Sequence, residues 1–283
     1  MSKKVIVGIG EILWDMLPSG KALGGAPANF AYHVKRLGLD GLAVSAIGRD
    51  ALGEEIVETL EAHSLPYHLD RVEYPTGTVQ VTLDGKGVPQ YEIKKGVAWD
   101  NVPYTKELAS IAAECQAVCF GSLAQRSQVS RKTIGWFLDA VPADCLKVFD
   151  INLRQDYYGK TVLNESLRRC DILKINDEEI RIVARLFGLE GDEEAACRAL
   201  IKKYTLRLVI LTKGADGSKV ITSEETIPQA AGKADVVDTV GAGDAFTAAF
   251  MAAYLRGESL AEAQRLASDT AAYVCSCKGA MPD

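Results

Sequence analysis

DTVGAGDAF, at residues 238–246, decides the fold class and points to the chemistry of this chain. Two glycines and an alanine lie between two aspartates, and apolar residues at helical spacing follow as far as Gly257, a C-terminal cap. The small residues therefore lie at a helix N-terminus, where successive backbone N–H groups can converge on an anion and the helix dipole adds to the attraction. We expect Gly241, Ala242 and Gly243 to form an anion-binding loop.

Asp244 falls in the first turn of this predicted helix, beside the same N–H groups. A carboxylate there would repel a bound phosphate unless another group lay between them, and an acceptor hydroxyl fits that place. In this interpretation Asp244 accepts the hydroxyl proton late in a phosphoryl transfer, while the loop amides stabilise charge on the transferring oxygens. In the alternative interpretation Asp244 only complements the helix dipole, which contributes about 0.5 kcal/mol.

The composition is typical of a globular protein that binds small molecules. The chain has 283 residues, 48% of them hydrophobic and 25% charged, which excludes disorder and allows one large domain. The net charge of −6, without a dense Lys/Arg run, argues against a nucleic-acid partner. No segment approaches the ~20 apolar residues of a membrane span and no cleavage pattern follows the N-terminus, so we expect no membrane partner and a cytoplasmic location.

The cysteines and histidines fit no metal site. The seven cysteines are scattered, form no CxxC pair and are expected to be reduced, mostly buried thiols. The three histidines, His33, His63 and His68, follow no metal-ligand spacing and are expected to be structural or exposed.

Short apolar runs alternate with segments of helical spacing, which predicts a parallel sheet covered by helices on both faces. The predicted strands are Val5–Gly8, Ala43–Ile47, Ala117–Phe120, Lys147–Asp150, Ile172–Ile175 and Leu208–Leu211, with a weaker strand at Lys219–Ile221. The predicted helices are Ala26–Leu37, Leu52–Ala62, Asp177–Phe187 and Glu193–Tyr204. Ligands of such sheets bind beyond the carboxyl ends of the strands.

One stretch departs from this alternation and predicts a β-hairpin outside the α/β core. Thr78–Leu83 alternates apolar and polar residues, Asp84–Pro89 resembles a turn, and Tyr91 and Ile93 resume the alternation. A hairpin with one apolar face is marginally stable alone. We therefore expect it to cover a ligand cleft or to pair with its copy in a homodimer.

DTVGAGDAF resembles the signature of the PfkB/ribokinase family of carbohydrate kinases, because the glycines, both aspartates and the phenylalanine agree in order. GGAPAN, at residues 24–29, resembles the sugar-side GG-x-x-x-N stretch of the family, and GEILWD, at residues 10–15, is similar to its first strand and loop. The resemblance spans nearly the whole chain. It implies an α/β fold, a ribokinase-like three-layer sandwich with a central, mostly parallel sheet. It also implies a single domain over 1–283, with a small β-hairpin lid built mainly from 76–100 and a segment near 11–23.

The resemblance assigns substrate binding to Asp15, Gly24, Gly25 and Asn29. Asp15 and Asn29 would hydrogen-bond two or more sugar hydroxyls, a form of recognition that rejects analogues lacking them. The two glycines would let the backbone approach the sugar closely. Without the resemblance, Asp15 is equally well a turn residue and Asn29 an exposed helix residue.

DINLR, at residues 150–154, looks like the D-x-N-x-R stretch of fructokinase-like members, in which the arginine lies near the phosphoryl path. The guanidinium of Arg154 would stabilise the transferring charge, and the alternative is a surface ion pair. Trp99-Asp100 resembles the A-W-D of the same relatives, or is a core aromatic residue followed by a turn.

Two stretches are candidates for cation binding. Asn176 and Glu179 have the spacing of a capping box, and they also match the family's N-x-x-E motif, which organises Mg²⁺ and phosphate through water. Asp238, Val240 and Gly279 match part of a site that in some family members holds a monovalent cation such as K⁺.

The nucleotide side is assigned by resemblance alone. Thr212, Gly214 and Gly217 lie in a tight turn after a predicted strand, and in the family this turn contacts the nucleotide phosphates and ribose. Ser268 resembles a residue of the adenine-side helix.

Together these features predict an enzyme that uses ATP and Mg²⁺ to phosphorylate a primary hydroxyl of a sugar, with fructose as the best candidate. Ribose, 2-keto-3-deoxygluconate and nucleosides remain open, because a few pocket side chains change specificity by only a few kcal/mol. A non-catalytic sugar-binding regulator is a further alternative. A dinucleotide-dependent oxidoreductase is excluded, because the third glycine of G-x-G-x-x-G would fall at Leu13.

Overall fold

The computed structural model describes residues 4–17, 20–83 and 89–282. The strands in these ranges are β1 (Val5–Ile9), β2 (Leu13–Leu17), β3 (Gly20–Gly24), β4 (Gly41–Gly48), β5 (Tyr67–Val72), β6 (Gly77–Leu83), β7 (Pro89–Ile93), β8 (Cys115–Phe120), β9 (Leu146–Asp150), β10 (Ile172–Asn176), β11 (Leu208–Thr212), β12 (Ser218–Ile221) and β13 (Thr226–Gln229).

The α-helices in the same ranges are α1 (Ala26–Arg36), α2 (Ala51–Ala62), α3 (Lys106–Ala113), α4 (Gln128–Ala140), α5 (Lys160–Leu167), α6 (Asp177–Phe187), α7 (Glu193–Tyr204), α8 (Ala242–Leu255) and α9 (Leu260–Cys275). Short 3-10 helices cover Ala98–Asn101, Leu123–Arg126 and Gly214–Asp216. The predicted strands and helices are confirmed, with ends that differ by one or two residues.

The large sheet has the strand order β13-β12-β11-β10-β9-β8-β1-β4-β5. Its neighbours pair in parallel from β11 to β5, whereas β12 and β13 are antiparallel. Side chains alternate between two packed faces: along β11, Leu208 and Ile210 pack on the side of α8, and Val209 and Leu211 pack on the side of α6 and α7. The fold is therefore the predicted α/β sandwich with a mostly parallel central sheet.

The second, small sheet has the order β3-β2-β6-β7. Strands β6 and β7 form the predicted antiparallel hairpin, and the predicted turn at Asp84–Pro89 lies outside the described residues except for Pro89, which begins β7. The hairpin does not stand alone: β2 pairs in parallel with β6 and antiparallel with β3. This pairing places Asp15 in the centre of the small sheet, opposite Ala22 on one side and Val79 on the other.

All seven cysteines lie in the described part of the chain and are free thiols, five of them buried, as predicted. Within the described ranges, no helix combines the length and apolar character needed to cross a membrane.

Candidate active site

The predicted anion-binding loop, Gly241–Gly243, lies where α8 begins. Gly241 caps the helix with φ +79, in the left-handed region that favours glycine. A Cβ atom on Gly241 would lie 2.5 Å from the Cβ of Ala280, so the C-terminal segment packs directly against the loop. The first N–H groups of a helix have no partner within the helix, and the loop therefore presents donors to an anion.

The C-terminal segment is held against this loop by several hydrogen bonds. Asp238 Oδ1 accepts from the Val240 N–H at 3.0 Å and Oδ2 from the Gly279 N–H at 3.1 Å, so the structure brings the three residues of the predicted K⁺ site together. His33, which is buried, donates through Nε2 to the Ala280 carbonyl at 2.8 Å. Burial lowers the pKa of His33, which is therefore a neutral, structural residue, as predicted.

Asp244 lies in the first turn of α8, and its carboxylate is bound by a residue from the opposite end of the chain. The side-chain amide of Asn29 donates to Asp244 Oδ2 at 2.8 Å. Burial and the nearby Asp150 carboxylate raise the pKa of Asp244 to about 7, while Asn29, Lys174 and Arg154 act in the opposite direction. A carboxylate that titrates near neutral pH is suited to accept a proton from a hydroxyl.

A buried ion pair lies beneath the anion loop. Lys174 Nζ is 3.1 Å from Asp150 Oδ1, and the other Asp150 oxygen accepts from the Thr247 hydroxyl at 2.9 Å. A Cβ atom on Gly243 would lie 3.0 Å from Lys174 Nζ, so the ammonium group lies directly behind the loop. Lys174 is not among the predicted site residues, although a lysine inside the apolar run of β10 is a signal that could have identified it.

The charge on Lys174 is maintained by its surroundings. Burial alone would lower its pKa, but the carboxylates of Asp150, Glu179 and Asp244 reverse that effect and raise the pKa above its ordinary value. The ammonium group therefore contributes a fixed positive charge to the site.

Asn29 is buried on α1, so it is not the exposed helix residue of the alternative interpretation. Its side-chain oxygen has no hydrogen-bond partner among the described residues, since the amide nitrogen alone binds Asp244. An unpartnered buried oxygen is costly and fits an acceptor for a substrate hydroxyl.

Asp15, Gly24 and Gly25 lie together where the small sheet meets α1. A Cβ atom on Gly24 would lie 2.5 Å from Asp15 Oδ2, and one on Gly25, whose φ is +120, would lie 2.4 Å from the Glu11 carbonyl. Larger residues at these glycines would therefore displace Asp15 or the Glu11–Ile12 backbone between β1 and β2. Burial raises the pKa of Asp15, and the Arg154 guanidinium partly offsets the effect.

The loop after β9 carries Arg154. Asn152 and Gln155 have φ values of +42 and +50, in the left-handed region that non-glycine residues seldom adopt. Arg154 Nη1 donates to the Leu153 carbonyl at 3.1 Å, and no ion pair joins Arg154 to a carboxylate among the described residues. Arg154 lowers the pKa values of Asp15 and Asp244, and it therefore acts on both ends of the site.

Glu11 is a second residue that sequence analysis did not place in the site. Its side chain is buried after β1, and Oε2 has no partner within the described ranges. Burial raises its pKa, while Arg154 and Arg126 lower it. The interruption of an apolar run by a carboxylate was the available signal.

Asn176 and Glu179 form the predicted capping box at the start of α6. Glu179 Oε2 accepts from the Asn176 N–H at 2.9 Å, and Asn176 Oδ1 accepts from the Glu179 N–H at 2.8 Å. Glu179 Oε1 accepts from the Leu153 N–H at 2.8 Å, which ties the loop of Arg154 to α6. The residues that the structure describes include no group of three or more His, Cys, Asp or Glu side chains that could hold a metal directly. Each Glu179 oxygen already accepts a backbone N–H, so Glu179 would reach a Mg²⁺ ion only through water, and that role stays a prediction.

The predicted nucleotide-binding residues lie further along the same edge of the sheet. Thr212 ends β11 and is opposite Asn176 in the β10–β11 register, and Gly214 and Gly217 follow with φ values of +53 and +88. The Ser268 hydroxyl on α9 accepts from the Gly232 N–H at 2.9 Å and donates to the Ala230 carbonyl at 3.1 Å. Ser268 therefore fixes the loop that follows β13, and a contact with nucleotide stays a prediction.

Comparison with known proteins gives a family match over almost the whole chain. The model of the pfkB family carbohydrate kinases matches residues 19–283. An ATP-dependent 6-phosphofructokinase of Thermoanaerobacterium thermosaccharolyticum is 29% identical over 98% of this chain and 90% of its own length. A fructokinase of Escherichia coli is 30% identical over 99% of this chain and 96% of its own.

A solved structure has the same architecture. An uncharacterized sugar kinase from Pyrococcus horikoshii, in complex with ATP, superposes with a TM-score of 0.81 at 29% sequence identity. The superposition covers 98% of this chain and 93% of the Pyrococcus chain. This chain therefore shares its fold with a sugar kinase whose structure contains ATP.

Proposed function

Since the chain belongs to the pfkB family of carbohydrate kinases, we propose that it transfers the γ-phosphoryl group of ATP to a primary hydroxyl of fructose. The observation that carries this proposal is the Asp244 carboxylate, which has a pKa of about 7, lies beside the Gly241–Gly243 loop and is held by Asn29.

In the proposed mechanism the loop binds the transferring group and Asp244 takes the proton. The amides at the start of α8 stabilise the equatorial oxygens of the γ-phosphoryl group, and Arg154 adds positive charge. Asp244 accepts the proton of the sugar hydroxyl as its bond to phosphorus forms. When bound with ATP, Mg²⁺ would neutralise phosphate charge, and Asn176 and Glu179 are the residues that would hold it through water.

The sugar lies, in this proposal, between the small sheet and α1. Asp15 accepts hydrogen bonds from sugar hydroxyls, Gly24 and Gly25 allow close approach, and the free oxygen of Asn29 accepts one more. Fructose is favoured by the stretches GEILWD, Ala98-Trp99-Asp100 and DINLR, which are those of fructokinase-like members. Ribose, 2-keto-3-deoxygluconate and nucleosides are the alternatives within the same chemistry.

We further propose that the small sheet is the lid of a single domain and that two copies pair through it in a homodimer. The described strands β2, β3, β6 and β7 form a sheet separate from the large one, as a lid requires. Analytical ultracentrifugation at micromolar protein should give twice the mass of the chain, and a monomer there would contradict the pairing.

The experiment that tests the function is a panel of acceptors assayed for ADP release and for the phosphorylated product. The panel holds fructose, fructose 6-phosphate, ribose, 2-keto-3-deoxygluconate and a purine nucleoside. Fructose should have the highest kcat/KM, by about tenfold or more over each other acceptor. A higher kcat/KM for another acceptor would identify that acceptor as the substrate in place of fructose. If no acceptor in a broad panel supported ADP release, the result would favour the non-catalytic regulator.

A further inference from the structure

Arg126 is a buried cation that the proposed chemistry does not use. It ends the 3-10 helix Leu123–Arg126, which follows β8, and its side chain is only 7% exposed. Its guanidinium binds the equally buried Asp100 with two hydrogen bonds, Nε to Oδ1 at 2.8 Å and Nη2 to Oδ2 at 2.9 Å. This two-point geometry is specific to arginine, since lysine offers a single point charge.

On one side this ion pair fixes the segment 94–100, which joins the small sheet to the large one. Asp100 Oδ2 also accepts from the Gly96 N–H at 2.9 Å and from the Val97 N–H at 3.3 Å. Arg126 Nη2 donates in addition to the Lys94 carbonyl, one residue beyond β7. Arg126 therefore binds both ends of the segment that leaves the small sheet, Lys94 through its carbonyl and Asp100 through its carboxylate.

On the other side the same guanidinium contacts the loop that carries Arg154. The Cζ atom of Arg126 lies 4.0 Å from the ring centre of Trp99 and 4.7 Å from that of Tyr157, so the guanidinium contacts both rings. The Tyr157 N–H donates to the Arg154 carbonyl at 3.1 Å, and the Tyr157 hydroxyl donates to the Ile93 carbonyl at 3.4 Å. Arg126 thus touches the base of the small sheet and the Arg154 loop at once.

Stability alone is a weak reason for this arrangement. A buried ion pair often contributes no net stability against apolar residues of similar volume, because both charges lose their hydration. Arg126 Nη1 is also buried without a hydrogen-bond partner in the described ranges, which adds a further cost. Stability therefore does not explain why Arg126 contacts both the 94–100 segment and the Arg154 loop.

We propose that Arg126 is a positioning residue for phosphoryl transfer, which couples the small sheet to the Arg154 loop so that closure over the sugar and placement of Arg154 occur as one step. The proposal rests on the proposed function in taking Arg154 to stabilise the transferring charge. Arg126 itself contacts neither substrate in this scheme and acts through the position of Arg154.

The kinetic test is the pair of variants Arg126→Lys and Arg154→Lys, alone and combined. Arg126→Lys should lower kcat by about tenfold while the KM for ATP stays within about twofold. Lysine keeps the positive charge, but it loses the paired hydrogen bonds to Asp100 and the contacts with the two aromatic rings. In the Arg154→Lys background, Arg126→Lys should cause little further loss. Losses that multiply in the double variant, or a kcat within twofold of wild type for Arg126→Lys, would overturn the coupling. Arg169→Lys, which alters a partly exposed pair with Asp139, is the matched control and should leave kcat unchanged.

A second test needs no substrate and separates the coupling from the function. Hydrogen exchange of the ligand-free protein should become faster in Arg126→Lys in both segments, 94–101 and 152–158. Asp100→Asn, which keeps an oxygen for the Gly96 and Val97 amides, should give the same double response if Arg126→Lys folds poorly. Faster exchange confined to 94–101 would overturn the coupling. If exchange became faster in both segments but the wild-type protein phosphorylated no sugar, the coupling would be supported and the proposed function would be refuted.

Discussion

Replacing Asn29 by leucine should move the acid limb of the pH–rate profile to higher pH. The Asn29 amide donates to Asp244 Oδ2 at 2.8 Å, and this hydrogen bond opposes the burial that raises the pKa of Asp244 to about 7. A hydrogen bond to a charged group contributes about 1.5–3 kcal/mol, and 1.36 kcal/mol corresponds to one pH unit, so the limb should move upward by roughly one to two units. The sign follows because only the ionised carboxylate accepts a proton, and a higher pKa extends the inactive range upward.

The assay is kcat/KM for ADP release with the preferred sugar, measured between about pH 5 and pH 9 at saturating ATP. Loss of a sugar contact at Asn29 raises KM equally at all pH values, so the position of the limb isolates the effect on Asp244. Asn164→Leu, on α5, removes an acceptor of the Tyr204 hydroxyl outside the site and is the matched control. A limb that stays in place or moves to lower pH in Asn29→Leu would refute the assignment of Asp244 as the titrating base.

Two further predictions concern stability. Gly241→Ala should destabilise the protein by about 2–4 kcal/mol, because alanine is strained at φ +79 and its Cβ would lie 2.5 Å from that of Ala280. Gly188→Ala is the control: at φ +67 with open space around it, this variant should lose only about 1 kcal/mol. Equal losses of unfolding free energy in chemical denaturation would contradict the close packing at Gly241. Asp244→Asn should stabilise the protein by up to about 4 kcal/mol at pH 8 and by clearly less at pH 5. The pKa of Asp244 in the folded protein, about 7, exceeds the ordinary 3.8, so the free-energy cost of ionising the carboxylate grows as pH rises between these values. A gain in stability that is independent of pH would contradict the raised pKa.

Local features of the fold and the site could be predicted from the sequence. The Gly241–Gly243 loop and Asp244 lie within four consecutive residues, and the capping box of Asn176 and Glu179 spans four, so each could be identified from spacing alone. The central strands of the large sheet, such as β8 and β11, are buried on both faces, which gives continuous apolar runs that are easy to recognise. The edge strands β5 and β13 are only half-buried and carry no such run.

Features that depend on distant contacts could not be predicted in this way. Asn29 binds Asp244 across 215 residues, and only the family resemblance placed the two in one site. Strand β2 pairs with β6 more than 60 residues later in the chain, and five residues of mixed character do not indicate a strand on their own. The burial of Lys174 and Glu11 likewise results from tertiary packing, which sequence periodicity does not record.

The most direct test of the account is phosphoryl transfer by Asp244→Asn, compared with its binding of sugar. The variant keeps the size of the side chain and removes the base, so kcat should fall by about 10²–10⁴ while the calorimetric Kd for fructose stays within about threefold of wild type. A variant that binds fructose normally and retains more than about a tenth of the wild-type kcat would contradict the role of Asp244 as the proton acceptor.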